Sequence, residues 1–215
     1  RLATAIAASG AASGLQGSYS QQAKQGAAYS AAYLDDVRET TLVVLYRLLF
    51  LFYAEDRNLL PVRDKNYHSY SLRFMREDIR DKRERKLPFS AVATPIWNGL
   101  QGLFQAIDEG DDSIGIPEYN GGLFAKTRAP LLARIRIPDS TLAPLLDALS
   151  RETLLDDLLA PLWINYRDLS VAHLGSIYER LLDYALTPTD ADPAVLRGLV
   201  DADPARRADR TSDQQ

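Results

Sequence analysis

The chain contains no cysteine among its 215 residues. Disulfide bonds, thiolate metal ligands and cysteine nucleophiles are therefore excluded, and the composition suits a reducing compartment. Histidine is scarce as well, and the two present, His68 and His173, fall on different predicted elements without a carboxylate at ligand spacing. A mononuclear metal site built on them is not expected. We interpret His173 as a partly buried structural side chain on a helix with an apolar stripe.

Long hydrophobic runs are also missing. No stretch approaches the roughly 20 consecutive apolar residues that a membrane-spanning helix needs. No signal peptide is recognised either, which favours a cytoplasmic protein without a membrane partner. The chain starts at Arg1 rather than at methionine and stops in a polar tail. We interpret it as a piece of a longer protein.

Charge of one sign is not in excess, since the formal net charge is only −4. The overall charge therefore does not indicate a nucleic-acid-binding protein, and basic patches must be sought in local stretches of the sequence. Recognisable catalytic motifs are absent too. There is no glycine-rich phosphate loop after a strand, no serine nucleophile elbow and no thiol nucleophile. The sequence predicts no catalytic, cofactor-binding or metal-binding residue in this chain.

One short motif resembles half of a nuclease site. Glu84-Arg85-Lys86 matches the acid-x-Lys part of a magnesium-dependent nuclease in letters. Such a nuclease needs this part on a strand and a second acid on the preceding strand. Here the motif falls in a charged helical pattern without a suitable upstream acid. A small nuclease that uses Glu84 is therefore a functional hypothesis, but it ranks third, after two in which this chain is not catalytic.

The most informative stretch is the apolar run over residues 42–53, where only Arg47 is polar. A helix that is apolar all round belongs at the centre of a bundle when it is too short for a membrane. We predict this helix over about residues 31–57. It should end there because Asn58 can adopt the left-handed conformation and Pro61 cannot continue the hydrogen-bond ladder.

Acidic pairs such as Glu55-Asp56 occur at several places. Neighbouring helical side chains point about 100° apart, so they do not converge on one atom as a catalytic acid and base must. We expect Glu55 and Asp56 to pair with Arg47 or Arg57, which is a structural role.

Apolar stripes and capping signals predict further helices. They are a basic helix with the stripe Leu72, Met75 and Ile79; a helix from Thr94-Pro95 to Gly110; one starting at Asp139 or Ser140 with Pro144 in its first turn; one with Leu154, Leu155, Leu158 and Leu159, ended by Pro161; and one starting at Ser170 and stopping before Pro188. No alternating β-branched run demands a sheet. The fold class predicted is mostly α, an irregular helical bundle around the central helix with little or no β.

Composition divides the chain into three parts. Residues 1–33 form a lead-in rich in Ala, Ser and Gly that is expected to be partly helical. Residues 34–186 form a helical connector domain. Residues 187–215 form a polar tail with at most one short helix, around residues 194–199, followed by a disordered end.

Two basic segments are candidates for contact with nucleic-acid phosphates. In the first basic segment, residues 73–86, four acids lie at helical i,i+3 or i,i+4 spacing and can neutralise the cations, which favours a solvated face. The second basic segment, residues 126–136, contains no acid and is the better candidate. The candidate phosphate ligands are Arg73, Arg76, Arg80 and Arg83 in the first segment and Lys126, Arg128, Arg134 and Arg136 in the second.

Three stretches together resemble a known family. They are LYRLLFLFYAEDRNLLP (residues 45–61), YNGGLF (residues 119–124) and YRDLSVAHLGSIYERLLDY (residues 166–184). In this order and spacing they resemble the helical region that precedes the methyltransferase domain in type IIG restriction–modification enzymes and in related phage-defence (DISARM-like) adenine-specific DNA methyltransferases. The resemblance covers about residues 34–186.

The motif residues receive structural roles in this interpretation. The glycines make a tight turn, tolerating positive φ at little cost, and the aromatic side chains hold helices in register. The residues that carry over are Tyr119, Asn120, Gly121, Gly122, Leu123, Phe124, Gly175, Tyr178 and Glu179.

The resemblance implies a parent enzyme that methylates adenine in DNA with S-adenosylmethionine, and that uses magnesium for any cleavage. The family's glycine-rich cofactor loop and Asn-Pro-Pro-Tyr tetrad have no counterpart here, so no cofactor is expected in this fragment. The implied partners are DNA and the neighbouring methyltransferase domain. The chain is then a non-catalytic connector, and whether it touches DNA itself stays open. The alternative is a free-standing helical scaffold that binds another protein.

Overall fold

The computed structural model describes residues 2–13, 29–119, 121–152, 162–182, 184–188 and 196–200. Helices dominate this part of the chain, so the prediction of a mostly α fold is confirmed. The helices are α1 (Leu2–Ala12), α2 (Ala31–Asp56), α3 (Leu72–Glu84), α4 (Pro95–Glu109), α5 (Asp139–Ser150) and α6 (Val171–Leu182).

Short 3₁₀ turns and two β-ribbons accompany the helices in the described residues. The 3₁₀ turns are Asp112–Ile114, Lys126–Arg128, Pro130–Ala133 and Tyr166–Asp168. The part of the chain that the structure describes has four strands in two antiparallel pairs: β1 (Arg151–Glu152) pairs with β2 (Leu162–Trp163), and β3 (Tyr184–Pro188) pairs with β4 (Leu196–Val200).

Helix α2 is the central helix that the sequence predicts. No residue between 42 and 53 is exposed, and α1, α3, the turn Tyr166–Asp168 and β3 all contact α2. The Ser30 hydroxyl accepts the Tyr33 amide at 3.2 Å and caps the start of the helix.

The end of α2 is the left-handed cap that the sequence predicts. Asn58 has φ 54°. Its amide donates to the Glu55 carbonyl, and the amide of Leu59 donates to the Ala54 carbonyl at 2.8 Å. This paired pattern satisfies carbonyls that a helix end otherwise leaves without partners.

Helix α1 docks on the same core as the rest of the bundle. Ile6 and Ala7 are fully buried, and the Tyr33 hydroxyl donates to the Ala7 carbonyl at 2.7 Å. Within the described residues, the helical part of the lead-in is thus packed against α2. The division of the chain at residue 33 stays a prediction.

Helices α3, α4 and α1 each contact α5, which closes the other side of the core. Trp97 of α4 is fully buried, and its indole N–H donates to the Ile135 carbonyl at 3.0 Å. The stripe of α3 includes an unexpected member, since Arg76 is buried beside Leu72 and Ile79.

Helix α5 starts earlier than its proline suggests. Pro144 is the sixth residue of the helix, so its prediction in the first turn is wrong. The start is fixed from outside, because the amides of Asp139 and Ser140 donate to the carbonyls of Ala93 and Ser90. These long-range hydrogen bonds cannot be read from the local sequence.

The end of the chain also differs from expectation. Helix α6 ends at Leu182, and the helix expected around residues 194–199 is replaced by strand β4. Gly198 opposes a helix there, and pairing with β3 supplies hydrogen-bond partners for the extended backbone. The helix predicted over residues 154–159 and the disordered end predicted beyond residue 200 lie outside the described residues.

Among the helices of the described part, none has both the length and the apolar character that crossing a bilayer requires.

Truncation of a core side chain of α2 tests the central position of this helix. Leu48 is fully buried. The Leu48→Ala variant should lose about 2–5 kcal/mol of unfolding free energy, because it leaves a cavity that the packed core fills only partly. The measurement is urea denaturation followed by circular dichroism.

The matched control is Leu162→Ala, the same change at a side chain that is 61% exposed. It should alter stability by no more than about 0.5 kcal/mol. Equal losses in the two variants would contradict the position assigned to α2.

Candidate functional site

The first functional candidate is Arg47, the single charge within the apolar run of α2. It is 4% exposed, and its Nε and Nη2 donate to the carbonyls of Leu123 and Ala125 at 2.9 and 3.1 Å. The guanidinium also lies over the rings of Phe104 and Phe124, at 5.1 and 5.4 Å from their centroids. Burial lowers the pKa of Arg47 to about 10, so the side chain stays charged at neutral pH. Arg47 therefore holds the segment that follows the glycine pair against α2.

The aromatic residues of the YNGGLF motif contact α2 and the loop after it. Phe50 makes edge-to-face contacts with Tyr119 and Phe124, at centroid distances of 6.4 and 5.3 Å. The Tyr119 hydroxyl donates to the Leu59 carbonyl at 2.9 Å. We expect the aromatic residues of this motif to hold helices in register, and these contacts are of that type. Leu123 contributes its backbone carbonyl, which accepts a hydrogen bond from Arg47.

The two glycines of the motif lie at a turn, as the sequence predicts. Gly121 does open a turn, since the Phe124 amide donates to its carbonyl at 3.1 Å. Neither Gly121 nor Gly122 has φ in the left-handed region, and a Cβ at either position would meet no close contact. The turn therefore forms without the positive φ that glycine tolerates. Asn120 lies outside the described residues.

The second buried charge of α2 is Glu55, which is 1% exposed. Its Oε1 accepts hydrogen bonds from the Tyr67 hydroxyl at 2.7 Å, the Ser71 hydroxyl at 3.1 Å and the Leu72 amide at 2.7 Å. Its Oε2 accepts the Arg73 amide at 2.7 Å. Glu55 thus caps the start of α3 from another helix, while the side chain of Ser71 at the N-cap position makes no capping bond. Burial raises the pKa of Glu55, and the four donors act in the opposite direction.

Asp56 joins α2 to two other elements. Its Oδ1 lies 3.2 Å from Nη2 of Arg76 and 3.7 Å from Nη2 of Arg73. Its Oδ2 accepts the Tyr166 amide at 3.0 Å. In place of the expected Arg47 or Arg57, Glu55 and Asp56 bind α3 and the turn at residue 166. Sequence spacing could not show this, because the partners are separated by up to 110 residues.

The first basic segment is largely neutralised, as the solvated-face interpretation expects, but its partners are not confined to its own helix. Arg80 pairs with Asp81 and Glu84 inside α3. Arg83 instead reaches Asp147 of α5 at 3.1 Å. Together with the Asp56 contacts, these pairs engage all four candidate arginines of the segment.

The cations of the second basic segment differ in whether they have a partner among the described residues. Nζ of Lys126 pairs with Glu109 of α4 at 2.5 Å. Nη1 of Arg136 donates to the carbonyls of its own turn. Arg128 and Arg134 are exposed and make no ion pair with any residue that the structure describes.

The third motif stretch begins with a reciprocal cap. The His173 amide donates to the Ser170 hydroxyl at 3.1 Å, and the Ser170 amide donates to Nδ1 of His173. His173 is exposed, so its prediction as partly buried is wrong. Gly175 and Glu179 are exposed on α6, and a Cβ at Gly175 would meet open space. For Tyr178 only the backbone position in α6 is described.

A groove of about 410 Å³ opens beside Asp56. The Arg76 guanidinium lies at its wall, with the rings of Phe52 and Trp163 at 5.5 and 5.1 Å. Trp163 and Arg167 carry no local sequence signal for this groove, because they lie far from α3 along the chain. The groove is lined by Asp56, Arg73, Arg76, Glu77, Trp163, Ile164, Asn165 and Arg167.

Within the described ranges no group of three or more metal-ligating side chains comes together. Glu84 of the nuclease-like motif lies at the end of α3, on a helix rather than a strand, and contacts Arg80 and Arg151. In the described part, the arrangement can hold an anion in the groove, and its buried charges stabilise the fold.

No model of a protein family matches this chain, and neither does any curated protein or solved structure. The motifs and the geometry above are therefore what bear on function.

Removal of the Glu55 charge tests its capping role. In Glu55→Gln the amide group places N–H donors where hydroxyl and backbone donors now point. The loss should be at least about 2 kcal/mol of unfolding free energy, because buried donors are left without acceptors. Chemical denaturation measures it.

Glu118→Gln is the control, since Glu118 is exposed and makes no ion pair among the described residues. It should stay within about 0.5 kcal/mol of the wild type. A Glu55→Gln protein as stable as this control would show that the carboxylate does not hold α3.

The Tyr67 hydroxyl gives a prediction at alkaline pH. Burial first, and then the nearby Glu55, raise the pKa of Tyr67 well above its usual value. The stability linked to this group is present below the unfolded pKa near 10 and is lost as pH rises above it, by up to about 1.4 kcal/mol per pH unit. The wild type should therefore lose its advantage over Tyr67→Phe between pH 9 and 11 in urea denaturation. A constant difference across this range would contradict the burial of the phenol.

Proposed function

We propose that this chain is a non-catalytic helical connector of a bacterial DNA-modifying restriction or phage-defence enzyme. The parent would be an adenine-specific DNA methyltransferase, with or without a fused endonuclease. In this proposal the connector positions the catalytic domain relative to the DNA-reading domain.

The observation that carries the proposal is that the three motif stretches meet around α2. Arg47 in the first stretch binds the carbonyl of Leu123 in the second. Asp56 in the first stretch accepts the amide of Tyr166, where the third begins. The ring of Tyr166 also stacks on Phe52 at a centroid distance of 4.8 Å. Stretches scattered over 140 residues therefore form one connected cluster.

The cluster has the chemistry of a rigid support. Arg47 and Glu55 bind backbone groups of other elements, and Asp139 accepts the Ile96 amide at the start of α4. Each buried charge thus fixes the position of one segment relative to another. A part that sets the geometry between two domains needs such fixed segments.

The remaining components follow from the same proposal. S-adenosylmethionine would bind in the neighbouring methyltransferase domain, and magnesium in a nuclease where the parent carries one. DNA and the methyltransferase domain would be the partners, and the location would be the cytoplasm.

Methyl transfer is the test. The product of the whole gene and the 215-residue chain are each incubated with DNA and radiolabelled S-adenosylmethionine. The proposal predicts adenine methylation by the gene product and none by the chain alone. Methylation by the chain alone would contradict the non-catalytic role. A gene product that transfers no methyl group would contradict the parent enzyme and favour the protein-binding scaffold.

A further inference from the structure

The groove beside Asp56 carries more positive than negative charge. Arg73, Arg76 and Arg167 line it, opposed by Asp56 and Glu77. Asp56 is already shared, because the same carboxylate contacts Arg73, Arg76 and the Tyr166 amide. One carboxylate divided among three donors leaves part of the arginine charge uncompensated.

Arg76 is the buried member of this set. Its side chain is 8% exposed, and its Nη2 is held by Asp56 at 3.2 Å. Its Nη1 has no hydrogen-bond acceptor among the described residues. A buried donor without an acceptor costs about 1–3 kcal/mol, and more when the group is charged. An oxyanion in the groove lowers this cost by bringing a negative charge beside the guanidinium.

Arg167 supplies a cation at the mouth of the groove. Its backbone is fixed, since its amide donates to Oδ1 of Asn165 and its carbonyl accepts Nε of Arg57, both at 2.9 Å. Its side chain is exposed and makes no ion pair within the described part of the chain. The guanidinium is therefore available to a ligand without loss of an existing contact.

Trp163 adds an aromatic surface to the same groove. The ring is 37% exposed, and the guanidinium groups of Arg76 and Arg80 lie 5.1 and 5.4 Å from its centroid. A cationic groove that has an aromatic ring beside it is the arrangement with which proteins hold single-stranded nucleic acid. The cations bind the backbone, and an unstacked base packs on the ring.

We infer that this groove binds single-stranded DNA, with a phosphate between Arg73, Arg76 and Arg167 and the adjoining base on Trp163. This site gives the proposed connector a direct contact with DNA and takes its biological setting from that proposal. The second basic segment offers less, because Lys126 is paired with Glu109 and no aromatic ring accompanies Arg128 or Arg134 in the described contacts.

The test is binding of a fluorescein-labelled single-stranded oligonucleotide to the 215-residue chain, followed by anisotropy at low ionic strength. Arg167→Glu should weaken binding at least about tenfold, since a phosphate-binding cation becomes an anion. Trp163→Ala should weaken it at least about fivefold through lost stacking. Arg63→Glu makes the same charge change at an exposed arginine that does not line the groove, and it should weaken binding less than about twofold.

Intrinsic fluorescence gives a second readout. The chain has two tryptophans, and Trp97 is fully buried. Stacking of a base on Trp163 should therefore quench the wild type, and Trp163→Phe should abolish the quenching. Circular dichroism confirms that each variant is folded.

Competition separates a DNA strand from a free nucleotide. Unlabelled oligonucleotide should displace the probe at a far lower concentration than adenosine monophosphate or inorganic phosphate. Displacement by the mononucleotide at an equal concentration would overturn the strand as ligand. The site itself is overturned if the chain binds no oligonucleotide, or if Arg63→Glu weakens binding as much as Arg167→Glu. None of these outcomes changes the methyl-transfer result, so the two proposals fail separately.

Discussion

Two charged side chains buried in one apolar helix constrain the rest of this structure. Removing a charge from water costs several kcal/mol unless hydrogen bonds and opposite charges replace the lost hydration. Arg47 and Glu55 both lie on α2, and both are almost fully buried. Hydrogen bonds to the carbonyls of Leu123 and Ala125 replace the lost hydration of Arg47, and hydrogen bonds from the amides of Leu72 and Arg73 replace that of Glu55. Each set of hydrogen bonds fixes a distant segment against the central helix.

The same device recurs at other helix ends. Glu55 caps α3, and Asp139 of α5 caps α4 by accepting the Ile96 amide at 3.1 Å. In both helices the residue at the N-cap position, Ser71 or Thr94, leaves its side chain without a capping bond. Helix termini therefore act as docking points between elements. This makes packing and local helix formation depend on each other.

Features that follow from local chemistry could be predicted from the sequence. The sequence predicts the central helix over about residues 31–57, and α2 spans Ala31–Asp56. Asn58 is predicted to adopt the left-handed conformation at its end, and it does. The hydroxyl of Ser170 caps α6 as expected. In each case the cause lies within a few residues of its effect, so periodicity and capping rules are sufficient.

Features that depend on long-range partners could not be predicted. Arg76 looks like one more solvated cation of a charged helix, and only the fold shows that Asp56 and Trp163 enclose it. The strand at residues 196–200 is stabilised by pairing with β3, and no local sequence pattern predicts this pairing. The candidate groove combines residues from positions 56 to 167 and had no signature in the chain order.

The groove and the motif cluster share the end of α2. Asp56 belongs to both, and the neighbouring Arg57 binds the carbonyl of Arg167 at the mouth of the groove. A ligand held by Arg167 and Arg76 would thus contact the residues that join the first motif stretch to the third. In the proposed connector, this arrangement would place the proposed DNA-binding groove on the same cluster that is proposed to set the relative positions of the domains.

Native-state hydrogen exchange at the first two amides of α3 tests the central role of the buried charges most directly. Leu72 and Arg73 have no acceptor within their own helix, and each donates to Glu55 at 2.7 Å. If Glu55 organises this region, both amides exchange only through global unfolding, as slowly as the buried Leu51 amide of α2. Exchange at the fast rate of an open helix terminus would contradict the account.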